Sequence, residues 1–121
     1  MPLPIDTLDL APGDLAALLA LLDRHTPEAQ VWAFGSRVGG RAHPGSDLDL
    51  VLRHAADATL SVDGCAALRE ALQNSALPML VEVHDWSQLP AAFRAEIERR
   101  HVVMADRPRE REEAAGQGVG L

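Results

Sequence analysis

The stretch AFGSRVGGRAHPGSDLDLVL, residues 33–52, carries an unusual pair of acids. Gly35 and Ser36 open a segment rich in glycine, and Asp47 and Asp49 follow it, separated by one leucine. The end of this stretch alternates as a strand does, which puts both aspartates on one face and the leucines that alternate with them on the other, apolar face. Like charges so placed repel each other and resist burial. We therefore expect that this face is open to water or that cations bind there.

The composition predicts one globular domain. The chain has 121 residues, of which 47% are hydrophobic and only 3% aromatic, so Leu, Val and Ala must form most of the core. We assign residues 1–106 to this domain and expect residues 107–121, which mix charges and glycines without periodicity, to be a disordered tail. The net charge of −7 argues against stable direct binding of nucleic acid and is compatible with a basic protein partner.

Cysteine usage and hydropathy indicate a cytoplasmic protein. The single cysteine, Cys65, excludes an intramolecular disulfide and a zinc site built on cysteines. The first residues lack a basic region, so we do not expect a signal peptide. No run of about 18 apolar residues occurs, so we expect no membrane span.

Apolar periodicity predicts three helices and up to four strands in the order α-β-β-α-β-α-β. Asp14 and Ser61 are the expected N-caps of the first two helices. The expected helices are residues 14–25, 61–74 and 90–101, and the expected strands are residues 30–34, 47–52, 79–84 and, more briefly, 102–104. We expect an α/β (α+β) domain, with a small mixed β-sheet and helices packed mainly on one face.

Three features of this order suggest phosphoryl or nucleotidyl transfer. Gly35 and Ser36 follow a strand, where exposed N–H groups and a hydroxyl can hold phosphate oxygens. Asp47 and Asp49, roughly 6–7 Å apart along their strand, suit Mg²⁺ bound together with substrate phosphates. Glu82 is a further acid in an apolar strand, and it can join the pair if the two strands are neighbours.

A trio of acids facing a phosphate-binding turn can hold two metal ions. One ion would activate the attacking oxygen and the other would neutralise the leaving pyrophosphate. The predicted metal ligands and catalytic residues are Asp47, Asp49 and Glu82, with two Mg²⁺ ions. The predicted nucleotide-binding residues are Gly35, Ser36, Arg37 and Ser46. His84 shares a face with Glu82, and we expect it to be structural.

Ser36, ten further residues and then Asp47-Leu48-Asp49 reproduce a G-S-x10-D-x-D pattern. With this pattern the chain resembles the DNA polymerase β-like nucleotidyltransferases, and most of all the minimal nucleotidyltransferases that pair with HEPN-domain toxins. The resemblance covers about residues 14–104 and includes LPMLVEVHDW and PAAFRAEIERR. It implies that Asp47 and Asp49 bind metal and that Gly35 and Ser36 contact the triphosphate.

The resemblance also implies the function of an antitoxin. Members of this kind transfer AMP from ATP to a tyrosine of a partner HEPN ribonuclease, with which a hetero-oligomer can form. The third acid of the family is usually an aspartate, and here Glu82 stands in its place. Asp85 is a weaker candidate, because its parity puts it on the opposite face. The chain has no tyrosine, so a tyrosine acceptor must lie in a partner.

Two other functions stay open at this point. Because glutamate is one methylene longer than aspartate, the chain could be an antitoxin that works by binding alone, with weak or absent catalysis. It could also be a nucleotidyltransferase that modifies a small molecule, for example an aminoglycoside. Relatives with that role generally carry a further domain for the acceptor, and here only about 20 residues follow Arg100.

Overall fold

A computed structural model describes residues 2–39 and 45–106. The predicted tail, residues 107–121, lies outside the described residues, as does the middle of the connection after Gly39. The helices are α1 (Pro12–His25), α2 (Cys65–Gln73) and α3 (Ala91–Arg99), and the strands are β1 (Ala29–Phe34), β2 (Leu48–His54), β3 (Val81–Asp85) and β4 (Val102–Ala105). The predicted order is confirmed, including the short last strand.

The four strands form one mixed sheet in the order β3-β2-β1-β4. β1 pairs antiparallel with β2 and with β4, whereas β2 and β3 are parallel. β2 is therefore an inner strand with a neighbour on each side. The α/β class and the mixed sheet agree with the prediction.

One face of the sheet packs against α1 and α2. Leu48, Leu50 and Leu52 of β2 have no exposed surface and meet Leu18 of α1 and Leu68 of α2 in the main hydrophobic cluster. The alternation of β2 thus has the predicted consequence for its leucines. Two of the three helices lie on this face.

The opposite face carries the acids and is only partly covered. Val51, on the same face as Asp49, is fully buried in a smaller cluster with Phe34, Trp86 and Ile97 of α3. This face is therefore neither a second full core nor an open surface. α3 shields one part of it, and the acids occupy the remainder.

Both predicted helix caps are wrong. α1 begins at Pro12 with Ala11 at the N-cap, because proline at the first helical position has the required φ and lacks only an N–H that would be unpaired there. α2 begins at Cys65, after Gly64 with a left-handed φ of 91°. Ser61 lies before it, with its hydroxyl 3.3 Å from that of Ser87.

Among the described residues, we find no helix long and apolar enough to cross a membrane.

Candidate active site

The register between β2 and β3 places Asp49 directly opposite Glu82. Because the two strands are parallel neighbours, both carboxylates project from the face that carries the smaller hydrophobic cluster. Asp49 is half-buried on an inner strand and Glu82 is exposed on the edge strand. The condition set by the sequence, that these strands be adjacent, is met.

His84 completes a group of three possible metal ligands. Two residues along β3 from Glu82, it projects from the same face, and its Nε2 lies 3.9 Å from Oε2 of Glu82. One ligand atom each from Asp49, Glu82 and His84 lies within 4.8 Å of the others. Asp47 is exposed just before β2 and does not belong to this group of described residues.

Gly35 brings the backbone of the turn against Asp49. Its φ is 84°, a left-handed value that residues with a side chain rarely adopt. A Cβ atom at this position would overlap Oδ2 of Asp49. The glycine therefore gives the carboxylate its place at the start of the Gly–Ser turn. Ser36 follows on the exposed surface.

The surroundings of Asp49 favour its protonated form. Burial raises the pKa of the Asp49 carboxyl, and the negative charge of Glu82 raises it further. Asp47 and a hydrogen bond with Glu82 act in the same direction, while His84 lowers the pKa. A bound cation would offset the repulsion that raises it. The donor set of carboxylate and imidazole groups fits a divalent metal ion, and the missing side chain of Gly35 leaves room for the Asp49 carboxylate.

A pocket of about 510 Å³ adjoins the Gly–Ser turn. It lies between the end of β1 and one side of α3, and it is lined by Phe34, Gly35, Ser36, Phe93, Glu96, Ile97 and Arg100. Its volume is within the range of small-molecule sites, about 300–1,000 Å³. The Phe34 and Phe93 rings meet edge to face, 5.7 Å apart.

The side of α3 that lines the pocket was not predicted as part of the site. Phe93, Glu96, Ile97 and Arg100 follow helical spacing, so the sequence shows that they share a side. It does not show that this side faces the Gly–Ser turn. Arg100 is anchored there, because its Nη2 donates a hydrogen bond of 2.6 Å to the Val38 carbonyl.

Arg37 has contacts that hold the loop together. It is buried, its Nε donates to the carbonyl of Ser46 at 2.8 Å, and its Nη1 donates to the carbonyl of Asp9 at 3.0 Å. These bonds connect the two ends of the loop and the N-terminal segment. Contact of Arg37 or the buried Ser46 with a nucleotide stays a prediction, and the bonds of Arg37 weigh against it.

Asp85 has a structural role. One carboxylate oxygen accepts a hydrogen bond of 3.1 Å from the backbone N–H of Val62, and the other accepts one of 3.0 Å from Ser87. It therefore ties β3 to the segment before α2. These bonds agree with the expectation that Asp85 is a weaker candidate than Glu82.

Sequence comparison gives two matches. A family model described as polymerase beta, nucleotidyltransferase, matches residues 17–110. A curated relative from Haemophilus influenzae, named probable protein adenylyltransferase MntA, is 36% identical over 100 residues. The matched region is 83% of this chain and 86% of that protein.

Solved structures with the same fold include a toxin-antitoxin crystallised with AMP-PNP. It has a TM-score of 0.63 and 19% sequence identity to this chain. A mutant of the toxin-antitoxin MntA-HpeT has a TM-score of 0.62 and 18% identity. Each match covers 88% of this chain and 84% of the other one. At this level of identity the likeness concerns the fold.

Proposed function

Because the chain belongs to the polymerase β nucleotidyltransferase family, we propose that it is a protein adenylyltransferase acting as an antitoxin. It transfers AMP from ATP to the hydroxyl of a tyrosine in a partner HEPN ribonuclease toxin, and this modification neutralises the toxin. The register of β2 and β3 carries this proposal, because it puts Asp49 opposite Glu82 beside the Gly–Ser turn. The relative named probable protein adenylyltransferase MntA supports the choice of a protein as acceptor.

The acids are proposed to hold the metal ions of the reaction. Asp47, Asp49 and Glu82 are the ligands of two Mg²⁺ ions, because hard carboxylate oxygens suit this ion. The bound ions supply Lewis-acid stabilisation of negative charge on phosphate oxygens. Asp49 is fixed for this role by its inner strand and by the close approach of Gly35.

The Gly–Ser turn and the adjoining pocket are proposed to bind ATP. Gly35 and the hydroxyl of Ser36 hold phosphate oxygens, and the nucleoside lies between the turn and α3. The rings of Phe34 and Phe93 exclude water there, and Arg100 provides a positive charge at the pocket wall. That a structural neighbour was crystallised with AMP-PNP is consistent with this placement.

The acceptor is proposed to lie in a partner, with which the chain forms a hetero-oligomer. The chain has no tyrosine of its own, so a tyrosine acceptor must come from another protein. Its net charge of −7 suits docking on the basic surface of a ribonuclease. We place the pair in the cytoplasm, which fits the single, buried and unpaired Cys65.

Labelling of the partner tests this function. The wild-type chain, labelled ATP, Mg²⁺ and its HEPN toxin partner should yield labelled toxin, and Asp49→Asn should abolish the label. The matched control is Asp57→Asn, which removes an aspartate that bonds to Thr59 outside the site. Equal labelling by the wild-type chain and Asp49→Asn would show that the site is assigned wrongly.

The exposed position of Glu82 favours a second candidate, an antitoxin that neutralises by binding alone. Its side chain is 49% exposed and is longer than the aspartate of the family pattern, and Mg²⁺ requires near-ideal geometry. Rescue of toxin-expressing cells by the double variant Asp47→Asn/Asp49→Asn would support this candidate. Loss of rescue, with the complex still formed, would support AMP transfer.

A further inference from the structure

His84 is held at the acidic site by two kinds of contact. Its ring meets Phe34 at a centroid distance of 5.6 Å and Phe93 at 6.3 Å, so aromatic groups lie on its apolar sides. Its Nε2 lies 3.9 Å from Glu82, and a carboxylate oxygen of Asp49 completes the group within 4.8 Å. The side chain is 30% exposed, so an ion can reach it from solvent.

The spacing of these three side chains is close to that around a single ion. Ligand atoms about 2.0–2.2 Å from one ion lie at most about 4.4 Å from each other, twice the longer bond. The observed separations need only small side-chain rotations to reach this range, and Glu82 is free to make them at the exposed edge of the sheet.

An imidazole ligand changes which metal ion the site prefers. Mg²⁺ takes oxygen ligands and water, whereas imidazole nitrogen suits first-row transition metals. Mn²⁺ accepts carboxylates as Mg²⁺ does and binds imidazole in addition. The group formed by Asp49, Glu82 and His84 therefore differs in chemistry from a site made of carboxylates alone.

We propose that Asp49, Glu82 and His84 bind one first-row transition-metal ion, and that His84 makes this position select Mn²⁺ over Mg²⁺. The proposal rests on the proposed function, since it names the ion of the same site. Of the two proposed metal positions, the one held by Asp47 and Asp49 keeps the Mg²⁺ that accompanies ATP, and the one held with Glu82 takes Mn²⁺ in place of the second Mg²⁺. The competing role for His84 is a charged partner of Glu82 that touches no metal.

Binding of the metal alone separates the two roles. Mn²⁺ affinity of the full chain is measured by electron paramagnetic resonance without ATP or toxin, and Mg²⁺ affinity by competition. In His84→Gln, Mn²⁺ should bind at least about tenfold more weakly, since losing even an outer-shell partner typically costs that much. Mg²⁺ affinity should change less than about twofold, because the carboxylates remain.

His25→Gln is the matched control. His25 lines a separate pocket with His54, at the far end of β2 from Asp49, so its loss should leave both affinities unchanged. If His84 only pairs with Glu82, removing its charge should change the affinities for Mn²⁺ and Mg²⁺ by the same factor. An unchanged ratio of the two affinities in His84→Gln would therefore overturn the proposal.

A spectroscopic measurement tests directly whether His84 is a metal ligand, and it needs only the wild-type chain. Pulsed electron paramagnetic resonance of Mn²⁺ bound to the wild-type chain should show modulation from a coordinated imidazole nitrogen. Absence of that modulation would exclude His84 as a ligand. Because neither measurement involves AMP transfer, the metal proposal and the proposed function can fail independently.

Discussion

Asp49 combines burial with a negative neighbour. Its position on an inner strand prevents it from turning away from Glu82, which lies opposite on β3. Burial and the charge of Glu82 both raise the pKa of Asp49, so the charged form needed for metal binding is unfavourable in the metal-free chain. In the metal-free chain the site therefore lowers the stability of the fold, and a cation bound there would offset this cost.

This cost should be visible in the pH dependence of stability. The folded chain binds a proton at Asp49 more tightly than the unfolded chain, so stability should fall as pH rises from 3.8 through the raised pKa. With a chelator present, Asp49→Asn should be more stable than wild type near neutral pH, and the difference should vanish at acid pH. Urea unfolding across this range measures it.

Asp57→Asn is a control for which the opposite change in stability is expected. Hydrogen bonds from Thr59 lower the pKa of Asp57, so its contribution to stability is present above 3.8 and is lost as pH falls through the folded pKa. This variant should be less stable than wild type at neutral pH. A lower stability of Asp49→Asn at neutral pH would contradict the argument for Asp49.

Gly35 should be intolerant of even one methyl group. Gly35→Ala would hold alanine at a φ of 84°, at about 1–2 kcal/mol, and would push the Asp49 carboxylate away. Since a displacement near 1 Å can reduce a rate about 100-fold, we expect transfer to fall by at least about tenfold. Radiolabelled toxin measures the rate, and thermal unfolding measures stability.

Gly13→Ala, at a position where an added methyl group has room, is the control for Gly35→Ala. Gly13→Ala adds a methyl group in the first turn of α1, where no atom from elsewhere in the described chain lies within 4 Å, and should stabilise the chain by at most about 0.5–1 kcal/mol with an unchanged rate. A wild-type rate in Gly35→Ala would mean that the turn does not position Asp49.

At the scale of elements, the strands and the start of α3 were predicted from the sequence, and the starts of α1 and α2 were predicted wrongly. Alternation in β2 is a local property, and it placed Leu48, Leu50 and Leu52 in the core correctly. The position of Glu82 beside Asp49 was predicted only on the condition that the two strands are neighbours, and their parallel pairing comes from the fold. The start of α2 follows contacts that local sequence does not contain, such as the bond between Asp85 and Val62, whereas α1 starts at Pro12, a local signal that the choice of Asp14 as cap overlooked.

The site was predictable where it depends on spacing along the chain. The ten-residue spacing between the Gly–Ser turn and the aspartates predicts that they lie together, and Gly35 is found against Asp49. Which side of α3 lines the pocket depends instead on how that helix crosses the sheet. His84 was expected to be structural, because a lone histidine in a strand more often is, although its parity put it on the face of Glu82. The fold adds that this face lies beside Asp49.

The loop between β1 and β2 offers a test of what Arg37 does. Its two bonds to backbone carbonyls predict that Arg37→Met destabilises the nucleotide-free chain by about 2–3 kcal/mol, since both bonds have a charged donor. Arg99→Met, which breaks an exposed pair with Glu96, should cost less than about 1 kcal/mol. Unchanged stability in Arg37→Met, with weaker ATP binding, would instead make Arg37 a nucleotide contact.

In the molecule as a whole, the two faces of the sheet are unequally packed. On one face, α1 and α2 pack on the sheet and form the main cluster. On the other face, α3 packs through the smaller cluster, which has four buried residues among those described. Trp32 packs against this smaller cluster, and Arg53 stacks against the rings of Trp32 and of its member Trp86 at 4.3 and 4.7 Å. The lightly packed face is the one that carries the acids and the pocket.

This inequality predicts that α3 opens separately from the rest of the fold. Ile97→Ala should cost about 2–4 kcal/mol by leaving a cavity under α3, and Leu68→Ala should cost a similar amount in the main cluster. Hydrogen exchange should distinguish them. Ile97→Ala should lose amide protection in α3 while α1 and α2 keep it, because few buried contacts hold α3. Leu68→Ala should lower protection throughout the described chain, and equal loss everywhere in Ile97→Ala would mean that both faces unfold as one unit.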